Sequence, residues 1–117
     1  MSDNKGQYEI TRRGPRHKVD FRIRLMYSRD GAIDSAHGHG SDLGEGGMAV
    51  YAATELTEGM HVKVELTLPY SRRVLWLEAI VRNKQGYRYG LEFLTLSSSQ
   101  REEIARFCQT ISVMNSV

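Results

Sequence analysis

Five stretches of this chain alternate apolar and polar residues with a period of two, and no helical pattern separates them. They cover residues 19–25, 48–52, 61–68, 74–82 and 87–93. Such alternation is typical of strands that bury one face. Turn-forming dipeptides such as Asp30-Gly31 and Gln85-Gly86 lie between the stretches. Short strands joined by turns predict an antiparallel sandwich or barrel.

Two further segments complete the predicted architecture. Residues 32–42 are polar and contain several glycines, so they show the weakest strand signal. Near the C-terminus, Ser99 followed by Glu102 has the spacing of a capping box, and a helix is predicted to begin near Ser98. Its apolar stripe consists of Ile104, Phe107, Cys108 and Ile111. The fold class is therefore mainly β with one C-terminal helix packed on the barrel.

Length and composition limit the class of protein. The 117 residues, 40% apolar and 26% charged, suit one globular domain. Residues 1–11 contain few apolar side chains and are predicted to be a flexible N-terminal arm before a single domain over residues 12–117. No run is long and apolar enough to insert into a membrane. The single Cys108 excludes an internal disulfide, and the expected location is the cytoplasm.

Positive charge is concentrated near the N-terminus. Residues 1–30 carry eight Lys/Arg and four Asp/Glu, whereas the rest of the chain carries eight and ten. Arg12, Arg13 and Arg16 lie within five residues, in a stretch that Gly14 and Pro15 keep from forming a helix or strand. Guanidinium groups bind phosphate oxygens and the O6/N7 edge of guanine. The stretch predicts a local anion site, and the alternative is a solvated basic N-terminus.

A second unusual stretch runs from Ser41 to Gly47 and places Asp42 among three glycines. Glycines allow a ligand to approach the backbone closely. We expect this stretch and the arginine stretch to lie on opposite sides of one nucleotide site. The alternative for the second stretch is an ordinary glycine turn.

Signals of catalysis and of metal binding are weak. The chain lacks a serine elbow and a Walker-type loop, because no lysine follows the glycines of residues 44–47. We therefore predict no enzyme activity. Four side chains could in principle bind a metal ion together, namely Asp34, His37, His39 and Asp42. A polar strand explains these residues equally well, so we predict no metal site. Cys108 lies on the apolar stripe of the helix, where packing accounts for it.

Together the two unusual stretches resemble the motifs of PilZ domains. Arg12-x-x-x-Arg16 is similar to the RxxxR motif, and Asp42-x-Gly44-x-x-Gly47 is similar to [D/N]xSxxG. Residues 90–93, Gly-Leu-Glu-Phe, resemble the family's last strand, so the likeness covers roughly residues 10–112. It implies a six-stranded antiparallel barrel that binds cyclic di-GMP, a bacterial second messenger, and signals to a protein partner without catalysis. Gly44 replaces the family's serine, so one hydroxyl contact is absent.

The resemblance also implies roles for individual residues. Arg12 and Arg16 would bind guanine Hoogsteen edges and phosphates, and Asp42 would accept hydrogen bonds from guanine N1–H and N2–H. Arg13 would add a phosphate or cation–π contact. The backbone at Gly44 and Gly47 would approach the ligand. No cofactor is implied beyond the nucleotide itself.

Trp76 is a further candidate, because the alternation of its strand directs it away from the core. It could stack on a base or contact the terminal helix or a protein partner.

Two other functions stay open. One is a PilZ-like interaction module that does not bind nucleotide. The other is a small barrel that binds RNA or single-stranded DNA, which is disfavoured because no row of aromatic residues marks one strand face. We therefore expect no binding of long nucleic acid, and the expected partners are cyclic di-GMP and an effector protein.

Overall fold

The computed structural model describes residues 15–69 and 71–115 and shows a closed antiparallel barrel with one helix. The strands are β1 (His17–Arg29), β2 (Ala32–Leu43), β3 (Gly47–Ala52), β4 (His61–Thr67), β5 (Val74–Gln85) and β6 (Arg88–Phe93), and the helix is α1 (Ser98–Asn115). Around the barrel the order is β1-β2-β3-β6-β5-β4. The predicted fold class is confirmed. The predicted arm of residues 1–11, and Arg12 and Arg13, lie outside the described residues.

Two tight turns form where the sequence predicts them. Asp30 and Gly31 have φ values of 52° and 82°, which suits a two-residue hairpin loop between the paired ends of β1 and β2. Gly86, with φ of 64°, begins the turn between β5 and β6. Alternation over residues 87–93 predicts that Tyr87 lies on the same face as Tyr89, and this prediction is wrong. Tyr87 completes the turn and is 55% exposed, whereas Tyr89 is fully buried.

The polar residues with the weakest strand signal form β2, a strand of 12 residues. Hydrogen-bonded neighbours on both sides, β1 and β3, hold it in place. A Cβ atom at Gly38 would lie 2.5 Å from the carbonyl oxygen of Tyr51, so only glycine fits there. The register with β3 shifts between Gly40 and Asp42, as in a β-bulge. Tertiary pairing therefore outweighs the low apolar content of this segment.

Inward-facing residues of all six strands form the core. Those that are almost fully buried include Leu25, Leu43, Met48, Val50, Val64, Leu66, Leu77, Tyr89 and Leu91. The Tyr89 hydroxyl donates to the carbonyl oxygen of Thr54 at 2.6 Å and accepts from the backbone nitrogen of Leu56 at 3.1 Å. The tyrosine thereby adds apolar area to the core without leaving its polar atom unpaired.

Helix α1 packs its apolar stripe against the barrel, as predicted. Ile104, Phe107 and Cys108 are buried, and Ile111 is partly buried against the same core. The Phe107 ring meets the Phe21 ring of β1 edge to face, with 6.2 Å between centroids. Burial of each large apolar side chain stabilises the fold by about 1.5–3 kcal/mol. No helix within the described ranges is both long and apolar enough to cross a bilayer.

The helix begins at Ser98, as predicted, but its capping residues differ from the prediction. The Ser97 hydroxyl accepts from the backbone nitrogen of Gln100 at 3.1 Å, and Gln100 Oε1 accepts from the backbone nitrogen of Ser97 at 2.9 Å. This reciprocal pair is a capping box two residues before the predicted Ser99 and Glu102. Several serines in a row offered more than one capping residue, and Ser97 is the one that caps the helix.

Candidate functional site

A cleft of about 690 Å³ lies on the outer face of the barrel, across β3 and β6. It is lined by Arg16, Asp42, Gly46, Ala49, Arg82, Asn83, Arg88, Gly90, Leu91 and Glu92. Strands β2, β3, β6 and β5 are neighbours here, and the register aligns Asp42, Ala49, Gly90 and Asn83 in one row. Three basic and two acidic side chains therefore surround a small, otherwise uncharged floor.

Asp42 is the most highly coordinated side chain of the cleft. Its Oδ1 accepts from Arg16 Nη1 at 2.8 Å and from the backbone nitrogen of Ala49 at 3.1 Å. Its Oδ2 accepts from Arg88 Nη2 at 3.3 Å. The bulge in β2 directs Asp42 outward beside Ala49 rather than along the regular alternation. One carboxylate thus connects the beginning of β1 with the beginning of β6.

The glycines of the Asp42 stretch make room for Arg16 and for the next strand. A Cβ atom at Gly44 would lie 2.9 Å from both the Arg16 Cδ and the carbonyl oxygen of Pro15. A Cβ atom at Gly47 would fall on the carbonyl oxygen of Leu91 and 3.2 Å from Arg16 Nη2. Gly44 also donates from its backbone nitrogen to the carbonyl oxygen of Gly47 at 2.9 Å, which closes the turn. Glycine at both positions therefore lets Arg16 and β6 lie close to this turn, and the approach of a ligand to this backbone stays a prediction.

The floor of the cleft consists of small residues. Ala49 faces outward and yet is only 2% exposed, because cleft side chains cover it. A Cβ atom at Gly90 would lie 2.6 Å from the side-chain amide of Asn83. Because neither floor residue carries a long side chain, Arg88 can extend across Ala49 to Asp42, two strands away.

The wall opposite Arg16 is formed by β5 and β6. Arg82 Nε donates to Glu92 Oε1 at 2.6 Å. The Arg88 guanidinium lies over the Tyr51 ring, 5.9 Å from its centroid, in addition to its contact with Asp42. In the described structure each arginine of the cleft therefore has a carboxylate partner.

Of the predicted site residues that the structure describes, four come together and Trp76 lies apart. Arg16, Asp42, Gly44 and Gly47 meet at one end of the cleft. Arg12 and Arg13 lie outside the described residues.

Trp76 is 49% exposed and does not line the cleft. It precedes Arg82 by six residues on β5, roughly 20 Å along the strand. Its carbonyl oxygen accepts from Gln100 Nε2 at 3.0 Å, so it lies beside the start of α1.

Sequence reasoning missed Arg82, Asn83, Arg88 and Glu92. Alternation along β6 places Arg88, Gly90 and Glu92 opposite the buried Tyr89, Leu91 and Phe93, so the outward direction of Arg88 was detectable. The hydrogen bonding of β6 to β3 was not, because these strands are far apart in the chain. Without that pairing, nothing in the sequence connects Arg88 with Asp42.

The four potential metal ligands are engaged in other contacts or lie apart. Asp34 lies 3.9 Å from Arg29, and His39 Nε2 lies 3.3 Å from Asp20 Oδ1. Within residues 15–69 and 71–115, no three His, Cys, Asp or Glu side chains are grouped to hold a metal ion.

Comparisons with known proteins agree with this architecture. The family model described as PilZ domain matches residues 10–110. The PilZ domain of CeSA from a cellulose-synthesizing bacterium is 19% identical, with a TM-score of 0.66 over 85% of this chain and 99% of that chain. The PilZ domain of Escherichia coli YcgR, solved with c-di-GMP, is 18% identical, with a TM-score of 0.70 over 89% and 93%.

A third solved structure is more divergent in sequence. The Bacillus subtilis inhibitor of motility MotI/DgrA is 14% identical, with a TM-score of 0.71, and the match covers 87% of this chain but 51% of that chain. At these identities the likeness of the structures concerns the fold alone. No curated protein matches this sequence.

Proposed function

Because this chain belongs to the PilZ family, we propose that it is a cyclic di-GMP receptor that changes its surface on binding and so signals to a protein partner. The observation that carries the proposal is the ion pair between Arg16 Nη1 and Asp42 Oδ1, 2.8 Å apart. This ion pair connects the arginine stretch with the stretch from Ser41 to Gly47 at one cleft. A basic N-terminus with a merely solvated role would not require this contact across 26 residues.

The chemistry of the cleft suits the ligand. Cyclic di-GMP carries two phosphates and two guanines, which call for guanidinium groups and for a carboxylate facing the guanine donors. The cleft offers Arg16, Arg82 and Arg88 together with Asp42, and its volume of about 690 Å³ is in the usual range for small-molecule sites. The solved complex of the YcgR PilZ domain with c-di-GMP supports this ligand.

The expected change of surface follows from the position of Arg16. Arg16 lies just before β1, and its side chain is 33% exposed. A ligand that takes both Asp42 and Arg16 breaks their ion pair and moves the residues before β1. By the family resemblance, Arg12 and Arg13 then close over the nucleotide. A partner that contacts this segment could therefore distinguish the two states.

Trp76 fits the partner surface better than the nucleotide cleft. Its indole is half exposed, it lies beside α1, and the cleft begins six residues further along β5. We assign it to contact with an effector protein. The proposal also includes a cytoplasmic location, where Cys108 stays reduced.

The second candidate is an interaction module of the same fold that does not bind nucleotide. The observation that favours it is Gly44, which lacks the family's hydroxyl and packs against Pro15 and Arg16 in the described state.

The RNA-binding alternative gains little support. Among the described residues, the exposed aromatics Tyr51, Trp76 and Tyr87 lie on β3, on β5 and in a turn, and do not form one stacking platform.

Titration calorimetry with cyclic di-GMP tests the proposal. We expect saturable binding at a fixed stoichiometry and no binding of short RNA or single-stranded DNA at physiological salt. Asp42→Ala removes the guanine acceptor and should weaken binding by about five- to 150-fold, since a bidentate base contact is worth about 1–3 kcal/mol.

Glu65→Ala is the matched control for this titration. Glu65 is likewise an outward carboxylate that accepts from an arginine, Arg24, at 2.7 Å, but it does not line the cleft. Absence of cyclic di-GMP binding by the wild type would favour the interaction module. Oligonucleotide binding that grows with length and falls steeply with salt would favour the nucleic-acid alternative.

A further inference from the structure

Arg88 occupies a position that the two recognised motifs do not include. It begins β6, pairs with Tyr51 of β3 in the ladder, and lies over the Tyr51 ring at 5.9 Å. From there Nη2 reaches Asp42 Oδ2 on β2 at 3.3 Å, across the intervening strand β3. The Arg88 side chain is 37% exposed, so solvent covers it only in part. The ring and the barrel strands thus hold this guanidinium next to the carboxylate.

The donors around Asp42 differ in how firmly they are held. A carboxylate has about four acceptor sites, two on each oxygen. On Oδ1 one site is taken by the backbone nitrogen of Ala49, a residue of strand β3, and the other by Arg16. On Oδ2 one site is taken by Arg88. Arg16 is the donor that belongs to the segment before β1 and that the ligand is proposed to take.

When Arg16 leaves, the remaining donors leave one open site on each oxygen. Guanine presents N1–H and N2–H side by side, and these two donors match two adjacent carboxylate oxygens. Adenine presents an acceptor at N1 in the same place, which a carboxylate oxygen repels. Ala49 and Arg88 therefore keep Asp42 in the orientation that distinguishes the two bases.

We infer that Arg88 is the positioning residue that makes this cleft selective for guanine, by holding Asp42 with one acceptor site open on each oxygen. This inference rests on the proposed binding of cyclic di-GMP. It assigns Arg88 to base selectivity rather than to overall charge. A residue that only contributed positive charge would strengthen the binding of every cyclic dinucleotide alike, because all of them carry the same two phosphates.

The test compares cyclic di-GMP with cyclic di-AMP and with the mixed cyclic GMP–AMP dinucleotide, by competition against a fluorescent cyclic di-GMP. The proteins are the wild type, Arg88→Ala, Arg88→Lys and the control Arg24→Ala. Arg24 is another outward arginine on a strand that donates to a carboxylate, Glu65, outside the cleft. Melting temperatures of all four proteins confirm that they are folded.

We expect Arg88→Ala to reduce the preference for cyclic di-GMP over each adenine-containing competitor by about tenfold, as loss of an oriented bidentate contact implies. Arg88→Lys, which keeps a donor, should recover part of the preference, and Arg24→Ala should behave as wild type. Equal weakening of all three nucleotides by Arg88→Ala would overturn the inference and leave the proposed function intact. If the wild type binds none of them, both proposals fail. If Arg88→Ala does not fold, the inference is tested with Arg88→Lys, by the ratio of its affinities for cyclic di-GMP and for the adenine-containing competitors.

Discussion

Removal of the Arg16 side chain tests the site where the two motifs meet. Arg16→Ala deletes the guanidinium that contacts Asp42 at 2.8 Å. A hydrogen bond to a charged group is worth roughly 1.5–3 kcal/mol, so one lost ligand contact corresponds to about ten- to hundredfold in affinity. The wild type must first break its own Arg16–Asp42 pair, which offsets up to about 1 kcal/mol. We therefore expect a loss nearer tenfold, with hundredfold as the upper bound.

The same substitution should change the stability of the unliganded protein only slightly. The two side chains are 33% and 21% exposed, and ion pairs of this kind contribute about 0–1 kcal/mol. Asp42 keeps its contacts with the backbone nitrogen of Ala49 and with Arg88, so no buried charge is left unpaired. In a domain of this size, the expected fall in melting temperature is at most about 5 °C.

Calorimetric titration with cyclic di-GMP and thermal unfolding measure the two effects on the same samples. Arg24→Ala is the control, because its ion pair with Glu65 is similarly exposed, at 40% and 27%, and lies outside the cleft. Unchanged affinity of Arg16→Ala would show that the Arg16 side chain does not contact the ligand. Unfolding of Arg16→Ala would show that the contact with Asp42 is structural, which contradicts the small change in stability expected here.

Three further predictions concern Gly44, the helix and the thiol. Gly44→Ser restores the family's hydroxyl but places a Cβ atom 2.9 Å from the carbonyl oxygen of Pro15. We expect the unliganded protein to lose about 1–3 kcal/mol, as overpacking usually costs, while calorimetry shows unchanged or higher affinity for cyclic di-GMP. A more than tenfold loss of affinity would contradict this. Phe107→Ala removes the ring that packs on Phe21 and should cost about 3–5 kcal/mol in urea unfolding, whereas Met114→Ala, at a site 52% exposed, should cost under about 0.5 kcal/mol. Equal costs would refute the packing of α1. Burial, with a smaller effect of Glu45, raises the pKa of the Cys108 thiol from 9.0 to about 11. The neutral thiol therefore favours the fold below about pH 9, and this contribution is lost as the pH rises towards about 11. Alkylation by iodoacetamide at pH 8 should be slow in the native protein and fast in urea, and equal rates would contradict burial.

The local sequence determined most of the secondary structure. Alternation is a property of single strands, so the inward faces of β4 and β5 and the apolar stripe of α1 could be predicted without knowledge of their neighbours. The alternation pattern does not predict the features that depend on contacts with neighbouring segments. The polar β2 is a strand because β1 and β3 bond to its two edges, and the helix cap moved to Ser97 among equivalent serines.

The candidate site divides in the same way. Arg16, Asp42 and the glycines were visible because a motif fixes their spacing along the chain, and the resemblance to PilZ domains grouped them. Arg88 lies 46 residues from Asp42 and contacts it because β6 pairs with β3, a strand that is not its neighbour in sequence. Closure of the barrel creates that pairing, and the small side chains of Ala49 and Gly90 let Arg88 cross it. The sequence alone therefore determined one side of the cleft, and only the tertiary structure decided the other, because contacts between distant strands depend on how the whole barrel closes.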